Sequence, residues 1–141
     1  MFLRSLVTAA SLLFLSANVA NAENFLVHIT TGPDNPTKAA LGFLVAMNAQ
    51  KEGHTVNVFL AGAGASLFTE ASLSSVEGKG TGKLKESFDA LIAGAARIYI
   101  SGGSAKARDI TDADLTGKPA EFATPIKLVE LAAAADVVLI Y

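Results

Sequence analysis

The 141-residue chain contains no cysteine, and that absence removes a whole branch of chemistry. Thiol nucleophiles, thiolate metal sites and redox dithiols are excluded from the polypeptide itself. Many small domains of oxidising compartments lean on disulfides; this one must hold together by core packing alone. A basic excess is also missing. The formal net charge is −2, which argues against a nucleic acid or an anionic membrane surface as partner. Histidine is scarce, with only His28 and His54. A metal site would need carboxylates converging on one of them, and the spacing shows none. No metal, no cofactor and no catalytic residue is therefore expected. Long apolar runs are absent after the N-terminus. Residues 56–61 and 137–141 are apolar, but they have strand length, far below the roughly 20 residues a spanning helix needs.

What is present begins with a leader. Arg4 follows Met1, Phe2 and Leu3, and an apolar stretch runs from Leu6 to about Ala17, broken by Thr8, Ser11 and Ser16. Val19-Ala20-Asn21-Ala22 then fits the A-x-A rule for signal peptidase. Residues 1–22 read as a cleavable signal peptide, cut between Ala22 and Glu23. The mature chain is expected in a periplasm or outside the cell, with no stable membrane insertion after cleavage. Removing the first 22 of 141 residues leaves 119, enough for one domain at 23–141. Loss of Arg4 takes the formal charge from −2 to −3.

The remaining chain alternates short apolar runs with helical stretches. Strands are expected at residues 25–30, 55–61, 97–101 and 136–141. Asn35 as N-cap and Pro36 at the first helical position predict a helix over 36–51. Its expected apolar face is Ala40, Leu41, Leu44, Val45 and Met47 to Ala49. A second helix is expected over 84–94, with Leu84, Phe88, Leu91 and Ile92 on one face. Ser104 is read as N-cap of a short helix reaching about Arg108, and Thr124 as cap of a last helix over 125–135. Residues 62–65 read as a flexible turn, 72–83 as a glycine-rich loop and 109–119 as polar loop. A fifth strand can be drawn near residues 72–76. Strands joined by helices imply βαβ crossovers. The expected fold is α/β: a three-layer α/β/α domain around a mostly parallel sheet of four to five strands.

Several motif-like stretches fail on inspection. Residues 62–67, Gly-Ala-Gly-Ala-Ser-Leu, open like a dinucleotide-binding fingerprint, but Leu67 stands where the third glycine belongs. Residues 78–83, Gly-Lys-Gly-Thr-Gly-Lys, imitate a phosphate-binding loop, yet Glu77 replaces the first glycine and Leu84 the final Ser or Thr. Neither Ser101 nor Ser104 lies in a G-x-S-x-G elbow. Ligands of open parallel sheets bind beyond the carboxyl ends of the strands. In this chain those ends carry Thr30, Thr31, Gly62, Gly64, Ser101, Gly102, Gly103 and Ser104, with Lys106 and Arg108 one turn later. Their hydroxyls, amides and two cations suit a small anionic or thiol ligand. The competing reading makes them ordinary caps and turns beside a solvated basic pair.

Three stretches carry a resemblance. They are the opening strand with its turn and helix (25–44), the second strand with its glycine turn (56–64), and the helix, strand and tight polar turn of 84–108. Their layout resembles the DsrE/DsrF-like (DsrE family, YchN-like) sulfur-relay proteins over nearly the whole mature chain. The resemblance implies that fold and self-association as trimers or hexamers. It also implies a cysteine after the third strand that accepts and passes on persulfide sulfur. Serine stands at that place here, at Ser101 and Ser104. A serine hydroxyl ionises too weakly to serve as a nucleophile without a base, and it holds no stable persulfide. The expected protein is thus a non-catalytic, homo-oligomeric binder of a small molecule or partner, linked to sulfur or redox metabolism. Two alternatives stand beside it: an enzyme that uses the 101–104 turn with a partner's thiol, and a purely structural subunit of a larger complex.

Overall fold

The computed structural model describes residues 21–141. The expected leader, residues 1–22, lies outside the described residues apart from its last two. In chain order the elements are β1 (Asn24–Ile29), α1 (Pro36–Lys51), β2 (Thr55–Leu60), a 3-10 helix (Gly62–Phe68), α2 (Glu70–Ser75), the two-residue strands β3 (Glu77–Gly78) and β4 (Gly82–Lys83), and α3 (Leu84–Ala93). Then follow β5 (Arg97–Ser101), α4 (Gly102–Lys106), α5 (Asp112–Leu115), β6 (Ala120–Ala123), α6 (Pro125–Ala134) and β7 (Val137–Ile140). Local chemistry sets the helix starts. The Asn35 side chain accepts a hydrogen bond from the Lys38 amide at 3.2 Å, with Pro36 in the first turn. Thr124 does the same for Lys127 at 3.3 Å, ahead of Pro125. Each cap satisfies an amide that the helix itself leaves without a partner.

The main sheet has five strands in the order β6-β5-β2-β1-β7, and every pairing is parallel. Side chains alternate between its two faces. Val27, Ile29, Val58, Leu60, Ile98 and Ile100 go to one face and join Phe43 of α1 and Leu84, Phe88 and Leu91 of α3 in the larger core. Leu26, Phe59 and Tyr99 go to the other, where Leu128 and Leu131 of α6 meet them. The molecule is therefore an α/β/α domain. Its two outer layers are unequal: α6 leaves β6 at one edge and must reach β7 at the other, so among the described residues it crosses the second face alone.

Several expectations need correction: residues 62–65 open a 3-10 helix instead of forming a flexible turn, and the 109–119 stretch contains α5. The fifth strand is β6, not residues 72–76. The Thr69 hydroxyl caps that earlier segment, accepting from the Ser72 amide, so it coils into α2. The glycine-rich stretch is not a plain loop either: α2 and the β3–β4 hairpin are built from it. On α1, Phe43 and Ala46 are fully buried, while Leu41, Leu44 and Val45 are only partly so. That helix is apolar nearly all round, and periodicity alone cannot choose its inner side. Finally, α4 starts at Gly102 and its cap is Ser101, which accepts from the Ser104 amide at 3.4 Å. The glycine pair is the first turn of the helix rather than a connection before it.

Candidate functional site

At the carboxyl edge of the sheet, β1, β2 and β5 end side by side. The structure brings Thr30, Thr31, Gly62, Gly64, Ser101, Gly102, Gly103 and Ser104 to that edge, and several of their polar groups are already engaged by the protein. The Gly62 amide donates to Ser104 Oγ at 2.8 Å. The Gly64 amide donates to the carbonyls of Thr30 and Ala61, each at 3.0 Å. Thr30 Oγ1 donates to the Tyr141 carbonyl at 3.1 Å, which also accepts the Thr30 and Thr31 amides. Arg108 folds back so that Nη1 donates to the Ser104 carbonyl at 3.1 Å. Two of the glycines have steric reasons to be there. Gly62 has φ +54°, a left-handed conformation that costs other residues energy. At Gly64 an added Cβ would collide with the Ile29 carbonyl.

Both serine oxygens therefore accept backbone amides: Ser104 Oγ joins α4 to the 3-10 helix through Gly62, and Ser101 Oγ caps α4 through the Ser104 amide. Neither histidine serves them as a base. His54 precedes β2, at the amino end of the sheet, where its Nδ1 accepts from the Glu23 amide at 3.1 Å. His28 lies within β1 and meets Phe59 edge-on, with ring centres 5.6 Å apart. Burial holds its pKa below the ordinary 6.5, because desolvation disfavours the charged ring. Its Nε2 is buried and has no hydrogen-bond partner among the described residues. Among the described residues, no group of three or more His, Asp and Glu side chains converges as a metal site.

A cleft of about 350 Å³ opens on the outer side of α4, lined by Gly102, Ala105, Lys106, Asp109, Ile110, Thr111 and Phe122. Its floor is apolar: Ala105 and Ile110 are buried and Phe122 partly so. Its rim is exposed and carries Lys106, Asp109 and Thr111. The chain reverses at the end of α4, where Asp109 has φ +54°, a conformation aspartate tolerates better than most residues. The Ile110 amide then donates back to the Ala105 carbonyl at 3.1 Å, which turns Ile110 inward. Of the sequence-derived candidates only Gly102 and Lys106 line this cleft. Thr30, Thr31, Gly62, Gly64, Ser101, Gly103, Ser104 and Arg108 do not. Sequence reasoning missed Ala105, Asp109, Ile110, Thr111 and Phe122. The signal was faint: Ile110, Leu115 and Phe122 are the large apolar residues in an otherwise polar stretch.

The second face of the sheet has a different character. Val138 pairs with Leu26 and Ile140 with His28, so both point to the side where α6 lies. They are nevertheless 43% and 69% exposed, and Ile126 and Val129 of α6 are 70% and 67% exposed. Among the described residues, no helix is long and apolar enough to cross a membrane.

Comparison with known proteins gives a consistent picture. The model of the DsrE/DsrF-like family matches residues 23–141. No curated protein matches the chain. Among solved structures the fold is similar to the YchN protein from E. coli, at 15% identity and a TM-score of 0.67, covering 86% of this chain and 100% of that one. It is also similar to BT1422, a conserved protein of unknown function from Bacteroides thetaiotaomicron. That match has 12% identity and a TM-score of 0.62, and covers 84% of this chain and 95% of the other.

Proposed function

The chain belongs to the DsrE/DsrF-like family, and from that premise we propose that it is a periplasmic, non-catalytic member that self-associates and binds a small molecule or partner linked to sulfur or redox metabolism. One observation carries the reading: a member of a family linked to sulfur relay has no thiol anywhere in its sequence. A thiol is a few per cent ionised near neutral pH, and its sulfur forms persulfides. A hydroxyl does neither. Ser101 ends β5 and Ser104 lies in the first turn of α4 that follows it, and both oxygens accept backbone amides. Replacing sulfur by oxygen there leaves an architectural role and removes the carrier.

Self-association is supported by the second face. Ile126 and Val129 of α6 and Val138 and Ile140 of β7 are large apolar side chains exposed on the α6 side of the sheet, and exposed apolar surface of this kind is what a contact surface uses. The periplasmic location rests on the leader and its A-x-A site. The test uses the purified mature chain with a labelled persulfide donor and a thiol acceptor. No label should stay on the protein, and transfer should not exceed the protein-free rate. Unaided uptake and transfer of sulfane sulfur would overturn the non-catalytic reading. Light scattering on the same sample should give a mass of more than one chain.

A further inference from the structure

The cleft beside α4 has three features that together select an occupant. Its volume of about 350 Å³ lies near the lower end of ligand pockets, which run from roughly 300 to 1,000 Å³. That size suits a small metabolite. Its floor of Ala105, Ile110 and Phe122 is apolar, so part of the occupant must be hydrocarbon. Its rim carries one cation and one anion, Lys106 and Asp109. They stand three residues apart, yet they form no ion pair with each other. Neither has a salt-bridge partner among the described residues, where the ion pairs join Lys85 to Asp89, Arg97 to Glu121 and Lys127 to Glu130. Thr111 contributes less, because its amide and hydroxyl are engaged with the Asp114 carboxylate at 2.8 and 3.5 Å.

A simple carboxylate would gain Lys106 and be repelled by Asp109. A simple amine would meet the reverse. A ligand carrying both charges on one carbon satisfies both. We propose that this cleft binds a free α-amino acid with an apolar side chain, its carboxylate toward Lys106, its ammonium toward Asp109 and its hydrocarbon on Ile110 and Phe122. The site rests on the binding role proposed above and names its ligand class. It does not use the glycine amides at the carboxyl edge, and it places the ligand outside α4. Solvent-exposed ion pairs are individually weak, so the affinity belongs near the millimolar range, on the order of 1 mM.

The test is a titration of the isotope-labelled mature protein, followed by amide chemical shifts. The probes are L-leucine, its deaminated acid isocaproate, its decarboxylated amine isoamylamine, and glycine. Leucine should move the amides of α4, Asp109, Ile110 and Phe122 saturably. Each of the other three probes should bind about fivefold more weakly or worse, as expected for loss of one exposed pair or of the apolar contact. Lys106→Met and Asp109→Asn are both on the exposed rim, and each should weaken leucine by a similar factor while leaving the spectrum folded. No movement of these amides overturns the proposal. So does isocaproate or isoamylamine binding as well as leucine, or either variant binding leucine as the wild type does. The parent reading is scored separately on the same samples. A protein that ignores leucine, still assembles and carries no sulfur loses only the cleft. A protein that transfers sulfur unaided loses the parent reading, and the amide shifts still decide the cleft.

Discussion

The two faces of the sheet are built on different terms. On one, α1 and α3 lie against Val27, Val58, Leu60, Ile98 and Ile100, and Phe43, Phe68 and Phe88 fill the space between. Among the described residues, no large apolar side chain of α1 or α3 is fully exposed there, though Leu41, Leu44 and Val45 are only partly buried. On the other, a single ten-residue helix spans the distance from β6 to β7. The buried set shrinks to Leu26, Phe59, Tyr99 and Ala123, and Val138 and Ile140 on the edge strand stay uncovered. The contrast separates two jobs. The first face supplies the stability of the single chain. The second offers apolar surface that folding alone does not cover, which is what an association surface requires.

Substitutions can break or sharpen that contrast, beginning with the largest effect. Phe43→Ala on the first face should cost about 3–5 kcal/mol, the range for large core truncations, measured by urea denaturation. Leu128→Ala on the second face, at a half-buried site, should cost about 1 kcal/mol. Equal losses would erase the distinction. Gly64→Ala forces a methyl against the Ile29 carbonyl and should cost about 1–3 kcal/mol, as overpacking does. Ser101→Ala removes the cap of α4 and should cost about 1 kcal/mol, with no change in any sulfur assay.

A pH effect also belongs to the second face. The folded protein holds the His28 pKa below 6.5, so in acid the unfolded chain binds a proton more readily than the folded one. Stability is therefore complete above about 6.5 and is lost as the pH falls through the lower folded value. Thermal melts across this window should show that slope, and His28→Gln should flatten it. A slope unchanged in the variant assigns the effect to other groups. The smallest change in chain stability is expected for Ile126→Ser and Ile140→Ser. Exposed positions move stability by roughly 0.5 kcal/mol or less, yet these should weaken assembly.

Much of the fold was legible from the sequence because its strong signals are local. Residues 55–60 and 97–101 are short apolar runs, and Asn35-Pro36 and Thr124-Pro125 are cap-and-start pairs that work whatever surrounds them. Where tertiary context decides, the sequence was silent or misleading. Ala120–Ala123 holds one large apolar residue and becomes a strand only because β5 offers it an edge. The inner side of α1 is chosen by the sheet and α3, not by its own pattern. Ser104 looks like a cap, but its hydroxyl accepts the amide of Gly62, 42 residues earlier, a partner no local window contains. The site was legible in the same measure. The strand-end rule pointed to the edge beside which the cleft opens and named two of its lining residues, Gly102 and Lys106. Asp109 and Phe122 reach the cleft through a left-handed turn and an edge strand that spacing does not announce.

The open face is tested most directly by sedimentation equilibrium of the mature wild type beside the Ile126→Ser, Val129→Ser, Ile140→Ser triple variant, both checked for intact folding by circular dichroism. The account predicts a wild type of several chains and a variant that sediments as one folded chain. A wild type that sediments as a single chain, or a variant that assembles as fully as the wild type, would contradict it.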